Sequence, residues 1–557
     1  MRRPHAPEVS SDHVTSPARS LPRNVHDPEL LIAGGGLGGV AAALAAARVG
    51  RRTLLVSRHA WLGGQLTTQG VPPDEHRWIE RLGATASYRA LREAIRAHYR
   101  RHYPLTDRAR RDPHLNPGNA WVSRLAHEPR AAATVIDALL APHQASGLLT
   151  VLRDARVTHL WRDRERISGA RIECADGRVL ELTPRFVLDA TETGELLPLA
   201  EVAYVTGAES RDETGEPHAL DGPAEPQSMQ AFTIAFALEH RAGEDHTIDR
   251  PEGYARWRDY RPEFWPGPLL GLRQLDPMTM QPLEGRLFDR SMDRLQFDAP
   301  IGRSNRNGYV LWSYRRLLDQ RHFSAPMPDV SMVIWPQNDY WLGSIVDVDD
   351  ATARRHVTEA KSLSLSLLYW LQSEAPRPDG GTGYPGLRLR GDVFGSPDGL
   401  AVEPYVREGR RIRARTTVFE QDLAFDVRGE HGAQRYPDSV GIGMYRIDLH
   451  PCTGGRSYVD LTTCPFQIPM GALVPQSVEN LLPACKNIGT THITNGAYRL
   501  HPVEWNVGEV AALLADRCLR SEMTPQALHA DAGEVAAFQD ELVRHGIELE
   551  WPRIDAY

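Results

Sequence analysis

The chain has 557 residues, of which 41% are hydrophobic and 24% charged, and its formal net charge is −8. That length supports two or more hydrophobic cores. The negative charge, and the lack of a lysine- and arginine-rich block with interleaved aromatic residues, argue against general nucleic-acid binding. Because the sequence has no apolar run of about eighteen residues, we expect no membrane-spanning helix. We therefore predict a protein that acts on a small molecule.

The cysteines and the first residues of the chain bear on its compartment. Five cysteines are scattered without CxxC pairing, which predicts neither a disulfide framework nor a metal site and favours the reducing cytoplasm. Residues 1–27 are rich in Arg, His, Pro and Ser and lack the apolar stretch of a secretory signal. We interpret them as a disordered tail.

The stretch from residue 28 to residue 56 has the pattern of a βαβ unit. An apolar strand over Leu30 to Ala33 is followed by glycines at GxGxxG spacing, an alanine-rich helix that ends near Gly50, and a strand over Thr53 to Val56. The glycines allow a tight turn, close approach of a diphosphate, and close packing of helix and strand. The unpaired N–H groups at the helix start favour an anion. The unit therefore predicts a dinucleotide site that includes Gly34, Gly36, Leu37, Gly38 and Gly39.

The segment after the second strand indicates which dinucleotide the unit binds. WLGGQLTTQG, from Trp61 to Gly70, resembles the loop of glutathione-reductase-like flavoproteins in which paired glycines let backbone amides pass beside the flavin. This favours FAD over NAD. Such proteins usually have an acidic residue at the end of the strand to hold the adenosine ribose. This chain has Ser57 and Arg58 there, which leaves open a serine–ribose hydrogen bond or a ribose with an extra phosphate.

Residues 75–205 read as a helical excursion followed by strands. Tyr88, Leu91, Ile95 and Tyr99 have helical spacing and leave a basic outer face that we expect to be solvated; a second helix ends near residue 142. Period-two and apolar patterns then predict strands, the last from Phe186 to Ala190. DATETGELLPLA follows at once and is similar to the motif that returns the chain to the ribityl and phosphate region of a flavin.

Residues 206–450 have a different pattern and predict a separate lobe. Loops and mixed strands predominate, with one clear helix from Thr352 to Tyr369. Polar-aromatic clusters such as VIWPQNDYW suit a lid over a polar ligand, although the loops of any large lobe look similar. GTGYPG has GxGxxG spacing but contains Pro385 and follows no apolar strand, so it predicts no second dinucleotide domain.

Residues 451–520 return to the pattern of the cofactor domain. From Asn480 to Leu519 a short strand and a glycine turn lead into a helix with an apolar face at Val507, Val510 and Leu514. We place Gly508 in the first turn of this helix, whose dipole would stabilise negative charge near the flavin N1 on reduction. Residues 521–557 are predicted as a capping helix and tail.

Three of these segments together carry a resemblance. GGGLGG with LGGQLT, DATETG, and NIGTTHITNGAYRLHPVEWNVGEVAA resemble the FAD-dependent oxidoreductase family of the glutathione-reductase-like superclass, over about residues 28–520. The resemblance implies an α/β fold: a Rossmann-like FAD-binding domain, with a parallel sheet, helices and a small antiparallel layer, and an inserted α+β substrate lobe. Residues 28–205, with the excursion at 75–145, and 451–520 would form the FAD-binding domain, and 206–450 the lobe. The family implies non-covalent FAD and no particular substrate.

The resemblance also implies which residues contact FAD. The pyrophosphate would meet the glycine turn, the ribose Ser57 and Arg58, and the adenine the backbone near Arg156 and Val157. The flavin would pass the paired glycines and face the start of the last helix. The remaining implied contacts are Gly63, Gly64, Gln65, Leu66, Thr67, Ala190, Thr191, Gly194, Asn506, Val507 and Gly508.

Two histidines flank the predicted flavin loop. A flavin oxidation usually needs a base for the proton that accompanies the hydride, and histidine is a common choice. His492 and His501 are the candidate bases, and Arg499, Glu504 or Asn506 could orient the substrate or the imidazole. Both histidines could instead bond the backbone in a tight loop.

We therefore predict an FAD-dependent dehydrogenase or oxidase that takes a hydride from a small or medium polar molecule, an alcohol, an amine or a saturated C–C unit. GGQLTTQG contains no paired cysteines, which argues against a disulfide reductase. A halogenase would need a flavin-binding box with a distant lysine, and the sequence shows no convincing one. An FAD monooxygenase and a flavoprotein with structural FAD stay open, as do the electron acceptor, oxygen or another molecule, and the oligomeric state.

Overall fold

The computed structural model describes residues 28–289 and 309–554. The predicted disordered tail at residues 1–27 lies outside the described residues. Among the residues that are described, no helix is both long enough and apolar enough to cross a membrane.

Residues 28–205 begin with the predicted βαβ unit, whose two strands have the predicted bounds. The strands of this part are β1 (Leu30–Ala33), β2 (Thr53–Val56), β3 (Leu149–Leu152), β4 (Ala155–Asp163), β5 (Arg166–Cys174), β6 (Val179–Leu182), β7 (Phe186–Asp189) and β8 (Tyr204–Val205). The helices are α1 (Leu37–Arg48), α2 (Ala86–His102), α3 (Asp107–Arg111), α4 (Pro129–Ala145) and α5 (Leu196–Leu199).

Residues 206–450 contain short strands and one long helix, as predicted. The strands are β9 (Phe232–Thr233), β10 (Phe236–His240), β11 (Arg273–Leu275), β12 (Pro282–Arg286), β13 (Tyr309–Val310), β14 (Arg316–Leu318), β15 (Val330–Val333), β16 (Asp339–Tyr340), β17 (Leu387–Leu389), β18 (Arg411–Ile412), β19 (Ser439–Gly443) and β20 (Ile447–Leu449). The helices are α6 (Arg211–Thr214), α7 (Tyr254–Asp259), α8 (Leu311–Tyr314), α9 (Asp350–Ser373), α10 (Glu420–Leu423) and α11 (Phe425–Arg428).

The last part of the chain is mostly helical. Its strands are β21 (Val459–Leu461), β22 (Phe466–Pro469) and β23 (Leu481–Pro483). Its helices are α12 (His492–Tyr498), α13 (His501–Ser521), α14 (Pro525–Ala530) and α15 (Ala532–Arg544).

A five-stranded parallel sheet with the order β23-β7-β1-β2-β3 forms the centre of the molecule. Ile32 of β1 lies opposite Leu55 of β2 on one side and Leu188 of β7 on the other. These three strands are buried along their whole length, which explains why their sequences are continuous apolar runs and do not alternate. Because the strands are parallel, their carboxyl ends meet at one edge, where open α/β sheets bind ligands. The predicted Rossmann-like α/β fold is confirmed.

Smaller antiparallel sheets complete the fold. β4, β5 and β6 form the layer beside β2, and β14, β15, β10 and β17 form a four-stranded sheet in the middle of the chain. The second core, rich in aromatic side chains such as Trp257, Trp335 and Trp370, packs α9 against this region. Strand pairs join residues 206–450 to the parts of the chain before and after them. β18 pairs with β8, which precedes this segment, and β19 pairs with β22, which follows it.

Helix α13 begins earlier than predicted. Its first residue is His501, with Pro502 in the first turn, so the prediction that Gly508 lies in the first turn is wrong. A proline suits the first helical position because its missing N–H has no partner there anyway. Gly508 instead allows close packing with α1: an added Cβ would lie 2.0 Å from the carbonyl oxygen of Gly38.

The sequence predicts that the basic face of α2 is solvated, but part of this face is buried. Arg92 and Arg96 are buried and pair with carboxylates, Arg92 with Glu75 and Glu80, and Arg96 with Glu80 and Glu93. The loop before the helix supplies two of these carboxylates and covers the arginines. The spacing of residues along one helix cannot show that a loop from outside the helix covers its arginines.

Candidate functional site

The first large cavity opens at the carboxyl edge of the parallel sheet, at the ends of β1, β2 and β7. We name it the glycine-turn cavity, and its open volume is about 820 Å³. Its lining comprises Ala33, Gly34, Gly35, Gly36, Val56, Ser57, Arg58, His59, Trp61, Gly64, Thr68, Ala155, Arg156, Val157, Ala190, Thr191, Glu192, Thr193, Glu195, Leu196, Ile345, Glu403, Pro404 and Val406.

The turn between β1 and α1 has the geometry of an anion site. Gly34 has a φ of +110°, and a Cβ there would lie 2.0 Å from the carbonyl oxygen of Ala190, so only glycine fits. Gly36 caps α1 without any side-chain hydrogen bond. The backbone N–H of Gly38 donates to Glu504 Oε1 over a long 3.3 Å. Gly34, Gly35 and Gly36 line the cavity immediately before α1, so the cavity lies at the positive end of the dipole of this helix.

Charged side chains surround this turn. The Lys486 ammonium pairs with the Glu192 carboxylate and lies 3.8 Å from Cys485 Sγ. Burial raises the pKa of Glu192 to about 7, although Lys486 acts in the opposite direction. Glu192, Cys485 and Glu504 lie close enough together to hold a metal ion. The Lys486 ammonium already lies against this cluster of three side chains. We therefore assign the cluster a structural role, in which the lysine neutralises the carboxylate charge.

The far end of the cavity holds the side chains that the sequence placed at the ribose. Ser57 Oγ donates to the carbonyl oxygen of His59 at 3.0 Å, and Arg58 pairs with Glu195 at 2.5 Å. Glu195 thus supplies a carboxylate at this end of the cavity, although β2 itself ends without one. The sequence shows this acid in the DATETGE segment, but only the fold brings it to β2.

A second cavity lies on the other side of the segment from Glu403 to Arg407. We name it the arginine cavity; its open volume is about 1410 Å³. Its lining comprises Asp74, Glu75, Trp121, Val122, Gln274, Asp276, Pro277, Met278, Leu283, Tyr309, Tyr314, Arg315, Ile334, Trp335, Pro336, Tyr405, Arg407, Tyr445, Arg446, Asp448, His450, Tyr458, Asp460 and Arg499.

Each of the four arginines of this cavity pairs with an aspartate. Arg315 Nη1 and Nη2 donate to the two oxygens of Asp74 at 2.9 and 3.2 Å. Arg407 donates to Asp339 at 3.1 Å, Arg499 to Asp448 at 3.3 Å, and Arg446 pairs with Asp460. Such fork-shaped pairs fix the orientation of planar groups on a cavity wall.

The two cavities share a wall. Glu403, Pro404 and Val406 line the glycine-turn cavity, whereas Tyr405 and Arg407 line the arginine cavity. From Pro404 to Arg407 the lining residues alternate between the two cavities, as successive side chains of an extended segment do. Gln65, next to Gly64 of the first cavity, also donates to the backbone oxygen of Arg499 in the second.

A model of the family described as FAD dependent oxidoreductase matches residues 29–542. This match covers nearly the whole chain. The chain belongs to this family of FAD-dependent oxidoreductases. No curated protein sequence matches it.

Solved structures that resemble parts of this FAD-dependent oxidoreductase differ in their reactions. The myxobacterial halogenase CndH is 17% identical, with 40% of this chain and 45% of that chain covered and a TM-score of 0.23. OxyS anhydrotetracycline hydroxylase from Streptomyces rimosus is 16% identical over 41% and 39%, with a TM-score of 0.23. A 3-ketosteroid dehydrogenase from Rhodococcus jostii is 17% identical over 31% and 48%, with a TM-score of 0.20. The matched region spans less than half of each of these proteins.

Nine of the predicted FAD contacts of this oxidoreductase line the glycine-turn cavity. They are Gly34, Gly36, Ser57, Arg58, Gly64, Arg156, Val157, Ala190 and Thr191. The predicted contacts that line neither cavity are Leu37, Gly38, Gly39, Gly63, Gln65, Leu66, Thr67, Gly194, Asn506, Val507 and Gly508. Among these, Asn506 donates to the backbone oxygen of Val440, in the contact between α13 and β19.

The glycine-turn cavity fits the FAD that this family requires. The cavity lies at the N-terminal end of α1, which suits a diphosphate, and the positive φ of Gly34 brings the turn close to β7. Glu192 Oε1 is buried beside this turn without a hydrogen-bond partner among the described residues. Gly34, Gly35 and Gly36 line the cavity without side chains, so the backbone of the turn itself forms the wall.

His492 is buried away from both cavities. Its Nδ1 lies 2.9 and 3.0 Å from the two oxygens of Glu408, and its Nε2 lies 3.6 Å from Cys452 Sγ. Burial alone would lower the pKa of His492, but the Glu408 carboxylate raises it to about 10. At neutral pH the ring is therefore protonated and has no free lone pair to accept a proton.

His501 bonds the backbone, which is the alternative that the sequence left open. Its Nδ1 accepts from the N–H of Asp74 at 3.1 Å, and its Nε2 lies 3.3 Å from the carbonyl oxygen of Val71. Burial lowers the pKa of His501, so the ring is neutral. Both nitrogens are occupied, and His501 lines neither cavity.

Arg499 and Glu504 lie in different parts of the structure. Arg499 lines the arginine cavity, where its Nη1 donates to the Tyr405 hydroxyl at 2.6 Å. Glu504 lies at the start of α1 and accepts from Gln65 at 2.5 Å. One predicted residue thus reaches the second cavity and the other the glycine turn.

Sequence reasoning missed His450. This histidine lines the arginine cavity, and its Nδ1 lies 2.5 Å from Asp339 Oδ2. The Asp339 carboxylate also accepts from Thr233 and Arg407. The four residues come from separate segments, and only VIWPQNDYW, which contains Asp339, had been noted as a polar-aromatic cluster.

Proposed function

We propose that this FAD-dependent oxidoreductase removes a hydride from a C–H bond of a small or medium polar molecule in the arginine cavity. The candidate substrates are an alcohol, an amine or a saturated C–C unit. The supporting observation is the shared wall, because Tyr405 and Arg407 face the arginine cavity while Val406 faces the cavity that fits FAD. A substrate there lies one segment away from the cofactor site.

The residues of the two cavities have different tasks in this proposal. The glycine turn and the start of α1 hold the diphosphate of FAD, and Ser57, Arg58 and Glu195 hold the ribose end. When bound, FAD accepts the two electrons and the hydrogen of the broken C–H bond. The arginine–aspartate pairs orient the substrate, and the buried wall residues exclude water.

The division of the chain is part of the same proposal. Most residues of the arginine cavity come from residues 206–450, which supports a substrate lobe there, set against a cofactor part made of 28–205 and 451–520. The βαβ unit, the LGGQLT loop and the DATETG return support membership of the glutathione-reductase-like superclass.

Anaerobic titration of the purified, FAD-loaded chain tests the proposed reaction. We expect an organic donor to bleach the visible absorption band of oxidised flavin without oxygen. Bleaching by NADPH alone would favour the monooxygenase alternative. A flavin that no donor bleaches, in a protein that retains FAD, would favour structural FAD and contradict the proposal.

A further inference from the structure

We propose that the arginine cavity binds a neutral, polyhydroxylated molecule of the sugar type, and that His450, oriented by Asp339, accepts the hydroxyl proton when this molecule is oxidised. The inference rests on the proposed function and narrows its substrate class to an alcohol. It depends on four features of the cavity: paired charges, unpartnered polar atoms, aromatic walls and the orientation of His450.

The first feature is that the charges of the wall are already paired. Arg315, Arg407, Arg446 and Arg499 each contact an aspartate, as described above. Of the other wall carboxylates, Glu75 pairs with Arg92, and Asp276 accepts from the backbone N–H groups of Met278 and Thr279. A carboxylate ligand would therefore displace an aspartate from its arginine, and an ammonium ligand would find only Asp276 without a cationic partner among the described residues, whereas hydroxyl groups can donate to the aspartates and accept from the arginines.

The second feature is a set of buried polar atoms without a partner. Arg407 Nε, Arg499 Nε, the Tyr458 hydroxyl and Gln274 Oε1 make no hydrogen bond within the described part of the chain. All four belong to side chains of the cavity wall. A buried polar atom without a partner costs about 1–3 kcal/mol, so a small shift of the wall that brings these atoms within reach of ligand hydroxyls would recover that cost.

The third feature is the aromatic surface between the charged pairs. The rings of Trp121 and Tyr314 lie 5.4 Å apart, and the Arg407 guanidinium lies 4.6 Å from the centre of the Tyr405 ring. The ring of Tyr458 lies 5.6 Å from that of His450. Sugar rings expose C–H faces between their hydroxyls, and such faces pack on aromatic rings. The wall of the arginine cavity has aromatic rings between its arginine–aspartate pairs, which matches this alternation of C–H faces and hydroxyl groups.

The fourth feature is the orientation of His450. Burial opposes ionisation of Asp339, but the Arg407 guanidinium holds the pKa of that carboxyl below its usual range. An ionised carboxylate only accepts hydrogen bonds, so His450 carries its proton on Nδ1 and donates it to Asp339. The lone pair then lies on Nε2. Asp448 Oδ2 is 3.7 Å from Nε2, too far for a hydrogen bond, and is compensated by Arg499.

The chemical step balances with these groups. A bound FAD would be the two-electron oxidant: the C–H bond of a carbinol carbon would break, and its hydrogen would leave with the electron pair to the cofactor. The O–H bond of the same carbon breaks and its proton goes to His450 Nε2. The electrons of the O–H bond form the second C–O bond, so the alcohol becomes a carbonyl compound. Asp339 stabilises the imidazolium that results.

Binding to the FAD-loaded full chain tests the substrate class by isothermal calorimetry. The hydroxylated probes are glucose, cellobiose and inositol, and the charged probes are succinate and benzylamine. We expect saturable binding of at least one hydroxylated probe and none of the charged probes. Binding of the charged probes alone would overturn the inference, yet the proposed function would stand if one of them bleached the flavin.

The variant His450→Gln tests the proton acceptor with the probe that binds. Gln retains a hydrogen-bonding group but cannot take up a proton at neutral pH. We expect probe affinity to stay within about threefold, a difference of roughly RT, while the anaerobic bleaching rate falls by about 100-fold or more. His246→Gln is the matched control, because His246 also pairs with a carboxylate, Glu244, but outside the cavity.

The pH profile separates a proton acceptor from a positioning role. The groups that face the His450 ring are Asp339, Asp448 and Tyr458, with Arg407 and Arg499 beside the two aspartates. We expect the bleaching rate of the natural protein to fall at acid pH, and this acid limb to disappear in His450→Gln. An unchanged acid limb in the variant would overturn the role of His450. Hydroxylated probes that bind while no donor of any kind bleaches the flavin would contradict the proposed function and the step together.

Discussion

At the scale of single residues, two glycines of the cofactor region have different tasks. A Cβ at Gly36 would lie 2.6 Å from Glu192 Oε1, the end of a flexible side chain, and would point toward the glycine-turn cavity. A Cβ at Gly508 would lie 2.0 Å from the backbone oxygen of Gly38. The first glycine leaves room for a ligand, and the second leaves room for a helix.

The variant Gly36→Val is therefore expected to fold but to purify colourless. The side chain would occupy the place where a diphosphate approaches the backbone, while Glu192 can turn aside. FAD content is measured by absorbance after denaturation, and folding by circular dichroism. Gly508→Val is the comparison: we expect it to lose folded protein, because two helix backbones would have to separate. A yellow Gly36→Val protein with full FAD would contradict the placement of the pyrophosphate.

The buried pair of His492 and Glu408 gives a prediction about stability. The folded-state pKa of His492 is raised to about 10, above the ordinary value near 6.5, so its contribution is fully present below pH 6.5 and lost as the pH rises through 10. His492→Gln should lower the free energy of unfolding at pH 7 by about 3 kcal/mol, since Glu408 stays buried with one partner fewer. Urea denaturation at pH 7 and pH 10 measures it, and the loss should shrink at the higher pH. A loss of unfolding free energy that is larger at pH 10 than at pH 7 would contradict the stabilising role of the His492–Glu408 pair.

At the scale of elements, the ion pairs under α2 hold this helix to the loop before it, within the helical excursion. Glu80 contacts both Arg92 and Arg96, and Arg96 is fully buried. Burial opposes ionisation of Glu80, but hydrogen bonds from the two arginines hold its pKa well below the usual range. Its contribution to stability is therefore present above the unfolded pKa, about 4.5, and lost as the pH falls through the lower folded value.

The variant Glu80→Gln should cost about 3 kcal/mol of unfolding free energy at pH 7, because two buried guanidinium groups lose a shared carboxylate. Asp107→Asn is the control, since Asp107 pairs with Arg111 on an exposed surface and should change stability by less than about 1 kcal/mol. Chemical denaturation of both variants decides the question. Equal losses for the two would show that the buried cluster contributes no more than a surface pair.

Element prediction succeeded where the pattern was local. The bounds of β1 and β2 could be predicted from their apolar runs, and α9 from its helical periodicity, because each signal lies within the element. The start of α13 was missed because the apolar face began only at Val507, although Pro502 marks a first helical turn. The burial of Arg92 was missed because the covering carboxylates lie in another segment.

At the scale of the whole molecule, the segment from Glu403 to Arg407 separates the glycine-turn cavity from the arginine cavity. Because neighbouring side chains face different cavities, substitutions there should divide cofactor binding from ligand binding. Nine of the predicted contacts line the glycine-turn cavity, and the βαβ unit, the neighbouring strands and the DATETG return carry them. It did not reveal the arginine cavity, whose walls come from segments as distant as Asp74, Arg315 and Arg499.

We expect Val406→Phe to lower FAD content while leaving glucose or cellobiose binding to the apoprotein unchanged. Tyr405→Leu should retain FAD and weaken binding of the hydroxylated probe by about tenfold, the effect of about 1.4 kcal/mol. FAD content is read by absorbance, and probe binding by calorimetry. Matching losses of both ligands in both variants would show that the segment does not separate the sites.

The Glu504 carboxylate, carried by α13, contacts the first turn of α1. It accepts from the N–H of Gly38, so an acidic side chain of the protein itself rests against the positive end of α1. A diphosphate at this turn would compete with that side chain for the same N–H group. One hydrogen bond therefore joins two residues 466 positions apart in sequence at the place where the coenzyme would bind.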